Sequence, residues 1–257
     1  RGRRTRGRTS ADVPDQPERI RVEIENIREK YQHEEKADKP RVLIYHTHTY
    51  EAFEQNPDDP YPECGKWRTE DSRYNIVRVG DALAEELEAL DIEVVHDTTE
   101  HEPPKLGTAY LRSLKTLEGY AQRGEEFDMM IDLHRDAASS RNTNPSCVTA
   151  NGIKYARMMV LIGNGKGSNG NSFSIKPNWK ENYKLAQAVT DGLNAEIPGI
   201  CRDVMVKNGR YNQHMSENAV LIEVGHNKNT LEEAVNAAKP LAKVIAGLLL
   251  SDESKGV

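Results

Sequence analysis

Three short apolar runs, far apart in the chain, each stop at a metal-capable or acidic residue. Val42-Leu43-Ile44-Tyr45 runs into His46-Thr47-His48, Met129-Met130-Ile131 into Asp132-Leu133-His134, and Ala219-Val220-Leu221-Ile222 into Glu223. Runs of this kind read as strands buried on both faces, which is the habit of parallel sheets covered by helices on either side. In such sheets ligands collect beyond the carboxyl ends of the strands. Two histidine-ended strands and one glutamate-ended strand are therefore expected to meet at one site.

The segments between these runs support the same fold class. Ile76, Val77, Val79, Leu83, Leu87 and Leu90 recur at helical spacing, and Ile92 to Val95 follows as a strand, so a β-α-β unit with parallel strands is expected. A helix over Leu111 to Gln122 precedes the second histidine strand. Met158 to Ile162 reads as a further strand, Asn178 to Asn194 as a helix, Val220 to Val224 as the last strand and Thr230 to Leu250 as the closing helix. The alternation predicts one α/β domain, a single twisted, mostly parallel sheet flanked by helices. We place that domain at residues 40–252, after a basic tail and charged lead-in helix at 1–39 and before a short tail at 253–257.

Composition narrows the function classes. The formal charge of -6 argues against a dedicated nucleic-acid binder, although the first nine residues carry five arginines and no acid. Such a block reads as a solvated tail, or as a contact to a membrane surface or an anionic polymer. Cys64, Cys147 and Cys201 form no CxxC pair, so neither a disulfide framework nor a thiolate metal site is indicated. No apolar stretch reaches the ~18 residues of a membrane span. The chain begins at Arg1, which leaves room for an upstream anchor. Neither a GxSxG elbow nor a strand-ending cysteine suggests nucleophilic catalysis. The glycine-rich stretch Gly163 to Gly170 lacks the Lys-Ser/Thr ending of a phosphate loop and reads as a plain loop.

The residue types at the strand ends suit a zinc hydrolase: neutral imidazoles and a carboxylate to hold Zn2+, and a free carboxylate to move protons. His46 and His48 stand two apart, which on an extended segment directs both to one face. His48 also opens His48-Thr49-Tyr50-Glu51, an HxxE step that can place both on one ion, with Glu70 and Asp71 as competing acids. His134 is the next expected ligand, its second N–H received by Asp132 or Asp136. Glu223, ending a buried strand, is expected to have a raised pKa and to serve as general base. Arg135 is the candidate for stabilising a developing oxyanion or holding a substrate carboxylate, with a plain ion pair to Asp136 as the other reading. His226 and Asn227 are placed near the site, while His33, His96, His101 and His214 read as surface residues.

Four stretches then carry a family resemblance: VLIYHTHTYEAF at 42–53, VRVGDALAEELEALDIEVVHDTTEH at 77–101, MIDLHRDA at 130–137 and AVLIEVGHNKNTLEEA at 219–234. Together they resemble the stage II sporulation protein P family of peptidoglycan hydrolases and, more distantly, the zinc-dependent N-acetylmuramoyl-L-alanine amidases. The resemblance implies one zinc and cleavage of the amide between the muramic acid lactyl group and L-alanine, with endopeptidase activity on cross-links besides. It also implies wall remodelling during engulfment in endospore formation and a stage II sporulation protein D-like lytic transglycosylase as partner. An upstream membrane anchor and action in the space between the two forespore membranes complete the expectation. Residue by residue, Glu223 matches the amidases' catalytic glutamate, His134 their second zinc histidine and His48 the first, with His46 in the preceding small-residue place. The glycine-rich turn that follows the amidases' first ligand is replaced here by Thr49-Tyr50-Glu51, and their downstream acidic ligand points to Glu70. Two other readings stay open: a zinc carboxypeptidase-type peptidase on other substrates, and a module that binds peptidoglycan or a partner without cutting it.

Overall fold

The computed structural model describes residues 39–138, 146–167 and 169–250. The expected basic tail, lead-in helix and C-terminal tail lie outside the described residues. The elements are β1 (Arg41–Tyr45), α1 (Ile76–Glu88), β2 (Glu93–Asp97), α2 (Ala109–Gln122), β3 (Met129–Asp136), β4 (Cys147–Ala150), β5 (Ile153–Ala156), β6 (Met158–Gly163), α3 (Trp179–Glu196), β7 (Met205–Lys207), β8 (Ala219–His226) and α4 (Leu231–Leu250). Six strands form one sheet in the order β2-β1-β3-β8-β6-β7. The pairs β1–β2, β1–β3, β3–β8 and β6–β7 are parallel, and β6–β8 is antiparallel. The expected mostly parallel sheet is thus observed. β4 and β5 form a separate antiparallel hairpin that the sequence reading did not assign.

Alternation along each strand sorts the side chains onto two faces. Val42, Ile44, Ile131, Leu133, Val220, Ile222 and Val224 join Ile76, Val79, Leu83 and Leu87 of α1 and Ala237, Leu241 and Ile245 of α4 in the main core. Leu43, Tyr45, Met130 and Ala219 face the other way and pack with Leu117 of α2. Each fully buried aliphatic side chain stabilises the fold by roughly 1.5–3 kcal/mol, so the larger cluster fixes how the helices sit on the sheet. α1 starts where Asn75 caps it, its side chain accepting the Val77 N–H. This second face, between β3, β8 and α2, carries the candidate site.

Long loops complete the carboxyl end of the sheet. The chain leaves β1 at Tyr45 and turns, so the extended geometry assumed through His48 stops short of it. The following loop is pinned at Glu51 and Ala52, which bridge to Arg68 and Asn75. β8 ends in a tight approach: Gly225 has φ 66°, and a Cβ there would come within 2.9 Å of Ala156 and of the Asn229 Oδ1. Only glycine is free of cost in that conformation. Among the described residues no helix is long and apolar enough to cross a membrane.

Candidate active site

His134 and Glu223 are register partners on the adjacent parallel strands β3 and β8. They share the phase of Met130 and Ala219 and so stand on the α2 face. His134 is buried between two acids, with Nε2 2.8 Å from Asp132 Oδ1 and Nδ1 3.4 Å from Glu51 Oε2. Asp132 is itself tied down, accepting the Thr47 N–H at 2.8 Å and the Thr47 hydroxyl at 2.7 Å. The His48 ring meets the His134 ring edge-on, centroids 5.3 Å apart. The structure therefore brings His48, Glu51, His134 and Glu223 together, with Asp132 beneath them.

The charges of the group follow from burial and from one another. Burial would raise the Glu51 carboxyl, but the His134 contact, with Arg135 and His48, outweighs it and holds the group at about 2. Burial works against a charged His134, yet Asp132 and Glu51 together raise its pKa well above the usual histidine value. Burial, reinforced by His134, lowers His48 to about 4, so its imidazole is neutral. Glu223 is pushed up to about 8, chiefly by burial and further by Glu51 and Asp136, against the pull of His134. Among the described residues its buried Oε2 has no hydrogen-bond partner.

Two expected site residues stand elsewhere. His46 keeps the phase of Val42 and Ile44 and turns to the α1 face, where Nδ1 donates to the Leu133 carbonyl at 2.9 Å and Nε2 lies 2.8 Å from His96 Nε2. With both ring nitrogens engaged there, it stands apart from His48; burial lowers its pKa to about 3. Arg135 likewise follows Leu133 to that face. Its guanidinium donates to the carbonyls of Ala52 at 2.8 Å, Trp67 at 2.9 Å and Asp136 at 3.4 Å, so it clasps the loop rather than facing Glu223. Its backbone N–H donates to Glu51 Oε2 at 3.1 Å.

The competing acids are also placed. Glu70 is exposed and lines a separate cavity with Thr49, Asp81 and Glu100, while Asp71 pairs with Arg73 at 2.6 Å. Asp136 pairs with Arg202, which leaves Asp132 as the partner of His134. His226, the last residue of β8, is buried, its Nε2 without a partner among the described residues, and Asn227 accepts the Ala138 N–H.

Several residues escaped the sequence reading. His101, read as a surface residue, is 1% exposed and spans the His46 carbonyl and Thr116. Glu102 lies with Oε1 3.7 Å from His48 Nδ1, accepts the Tyr50 N–H and pairs with Arg68. Tyr110 of α2 stacks on His134, centroids 6.4 Å apart, and meets His48 edge-on at 5.7 Å.

The donor set suits zinc. Two imidazoles and a carboxylate from His48, His134 and Glu51 are the ligand types of a catalytic site. The two buried acids Asp132 and Glu51, set against His134, leave negative charge that a dication would balance. Among the described residues no three of these donors converge on one point as they stand.

The sequence profile of stage II sporulation protein P matches residues 4–246. The chain belongs to that family. Stage II sporulation protein P of Bacillus subtilis (strain 168) is 29% identical over 227 residues, covering 82% of this chain and 51% of the relative. The chain thus spans about half the length of that relative. Among solved structures, an N-acetylmuramoyl-L-alanine amidase from Clostridium difficile 630 superposes with a TM-score of 0.50 at 20% identity, covering 86% of this chain and 100% of its own. The amidase AmiC2 of Nostoc punctiforme gives a TM-score of 0.46 at 14% identity over 84% of this chain and 97% of its own. The likeness to the Clostridium difficile amidase shows that the chain shares that fold.

Proposed function

We propose that the chain is a zinc-dependent peptidoglycan hydrolase that cleaves the amide between N-acetylmuramic acid and the L-alanine of the stem peptide. The observation that carries this reading is the pairing of Glu223 with His134 on adjacent strands, one carboxyl raised and unpartnered among the described residues, the other side chain held between Glu51 and Asp132. His48, Glu51 and His134 would hold the zinc ion, which supplies Lewis-acid polarisation of the scissile carbonyl. Glu223 takes a proton from the attacking water and delivers it to the departing amine nitrogen, as a group with a pKa near 8 is suited to do. Asp132 orients His134 through the contact at Nε2, and Arg135 holds the loop that presents Glu51.

Family membership and the amidase fold support the substrate class. Within the same reading we place endopeptidase activity on peptide cross-links, a role in wall remodelling during engulfment, a lytic transglycosylase partner of the stage II sporulation protein D type, and attachment to the membrane through a segment upstream of this chain.

The test is zinc content of the purified protein together with release of free amines from purified peptidoglycan, with and without chelator. About one zinc per chain, chelator-sensitive release of L-alanine amines and loss of that release in a folded Glu223→Gln variant are expected. Release of C-terminal amino acids alone would favour the carboxypeptidase reading. A protein inert after zinc is restored, yet binding peptidoglycan, would replace the hydrolase with a binding module.

A further inference from the structure

With Arg135 turned to the opposite face and spent on three carbonyls, the candidate group lacks the donor assigned to it for a developing oxyanion. Beside the polarisation that a bound zinc ion would supply, such a donor lowers the barrier to cleaving an amide by water. As the C–O bond forms, the carbonyl oxygen takes on negative charge, and a placed donor stabilises that charge without giving up its proton.

Tyr110 suits the role by position. Its ring stacks on His134 at an interplanar angle of 13° and stands edge-on to His48 at 87°. Among the described residues its hydroxyl makes no hydrogen bond, whereas the nearby Tyr211 hydroxyl is engaged with the Asn208 carbonyl. The backbone beneath it is fixed, since Asn212 donates to the Tyr110 carbonyl at 3.0 Å and also to Ser113, which contacts Thr47. A phenol carries its proton at neutral pH, so Tyr110 is a neutral O–H that can donate a hydrogen bond.

We propose that the Tyr110 hydroxyl is the hydrogen-bond donor to the scissile carbonyl oxygen as it becomes an oxyanion. The inference rests on the amidase reading and deepens it. The proton balance is unchanged: water adds to the carbonyl carbon, Glu223 carries its proton to the amine nitrogen, the C–N bond breaks, and Tyr110 keeps its own proton throughout.

The experiment is Tyr110→Phe, which keeps the ring against both histidines and removes only the hydroxyl. Removal of one oxyanion donor costs about 10²–10³ in kcat. The expected result is a loss of that order with KM, zinc content and Tm held. A phosphinate analogue of the tetrahedral intermediate should bind Tyr110→Phe more weakly by the same factor. The uncleaved muramyl peptide should bind Glu223→Gln and the Glu223→Gln/Tyr110→Phe double variant equally. Unchanged kcat in Tyr110→Phe overturns the proposal, as does a loss explained by weaker muramyl-peptide binding or by lost zinc. If the zinc-loaded wild type releases no amine, the amidase reading fails by itself, and equal phosphinate affinity in the two proteins would dismiss Tyr110 separately.

Discussion

The Nε2 atoms of His46 and His96 lie 2.8 Å apart, directly over Gly80 of α1. Since His46 Nδ1 donates to the Leu133 carbonyl, its Nε2 is the acceptor and His96 supplies the proton. The pair joins β1 to β2, with His96 Nδ1 3.1 Å from Asp81 of α1. The space above α1 is therefore filled by two rings rather than by a helix side chain.

A side chain at position 80 has nowhere to go. A Cβ would stand 2.4 Å from His96 Nε2 and 2.8 Å from His46 Nε2. Gly80→Val should therefore lower stability by about 1–3 kcal/mol, the usual cost of overpacking. Denaturant unfolding measures it. A variant as stable as the wild type would mean that the rings are not packed against the helix.

Arg135 leads to a second prediction. In Arg135→Met the Ala52 carbonyl loses its side-chain donor and the Trp67 carbonyl keeps only the Ala52 N–H. Hydrogen bonds from a charged group contribute roughly 1.5–3 kcal/mol each, so a stability loss of about 2–4 kcal/mol is expected, with faster proteolysis between residues 49 and 69. Arg135→Lys should rescue little, because one ammonium cannot span carbonyls that a guanidinium fork reaches together. Full activity in the lysine variant would instead point to a simple charge effect at the reacting centre.

These two residues show what the sequence held and where its reading stopped. The strand-ended chemistry was legible because Val42 to Tyr45, Met129 to Ile131 and Ala219 to Ile222 announce buried strands, and parallel topology puts their ends together. Period-two alternation also separates His46 from the site, since it falls in phase with Val42 and Ile44, and it separates Arg135 from His134 in the same way. That information was present. The extended geometry ends before Thr47, where the chain turns and His48 leaves that phase. Tyr110 and Glu102 were not legible, because their places depend on how α2 and the loop before it settle over the sheet. The β4–β5 hairpin was missed for lack of a long apolar run: Ile153 and Lys154 are exposed.

Zinc binding should release a proton. His134 is held charged between Asp132 and Glu51, and a ligand imidazole must be neutral. Calorimetric titration of zinc into chelator-stripped protein near pH 7, in buffers of different ionisation enthalpy, should report at least about one proton per zinc, from His134 and in part from Glu223. Free zinc at 100 times Kd should stabilise the fold by about 2.7 kcal/mol. Zinc uptake with neither proton release nor a Tm increase would place the ion elsewhere.

Glu223→Gln should separate stability from activity. The wild-type carboxyl has a folded pKa of about 8 against an unfolded value near 4.5, and its Oε2 has no hydrogen-bond partner among the described residues. A folded pKa above the unfolded one means that the group's stability contribution is complete below about 4.5 and is lost as the pH rises through about 8. The amide carries no such penalty. In metal-free protein Glu223→Gln should therefore match the wild type near pH 4 and exceed it increasingly toward pH 8, by about 1–3 kcal/mol once a buried unpaired group is relieved. Amine release should meanwhile fall to background. Unfolding curves across that pH range decide the matter: a variant less stable at pH 8 than at pH 5, relative to wild type, would mean that Glu223 is solvated or paired and is not the raised carboxyl that general-base chemistry needs.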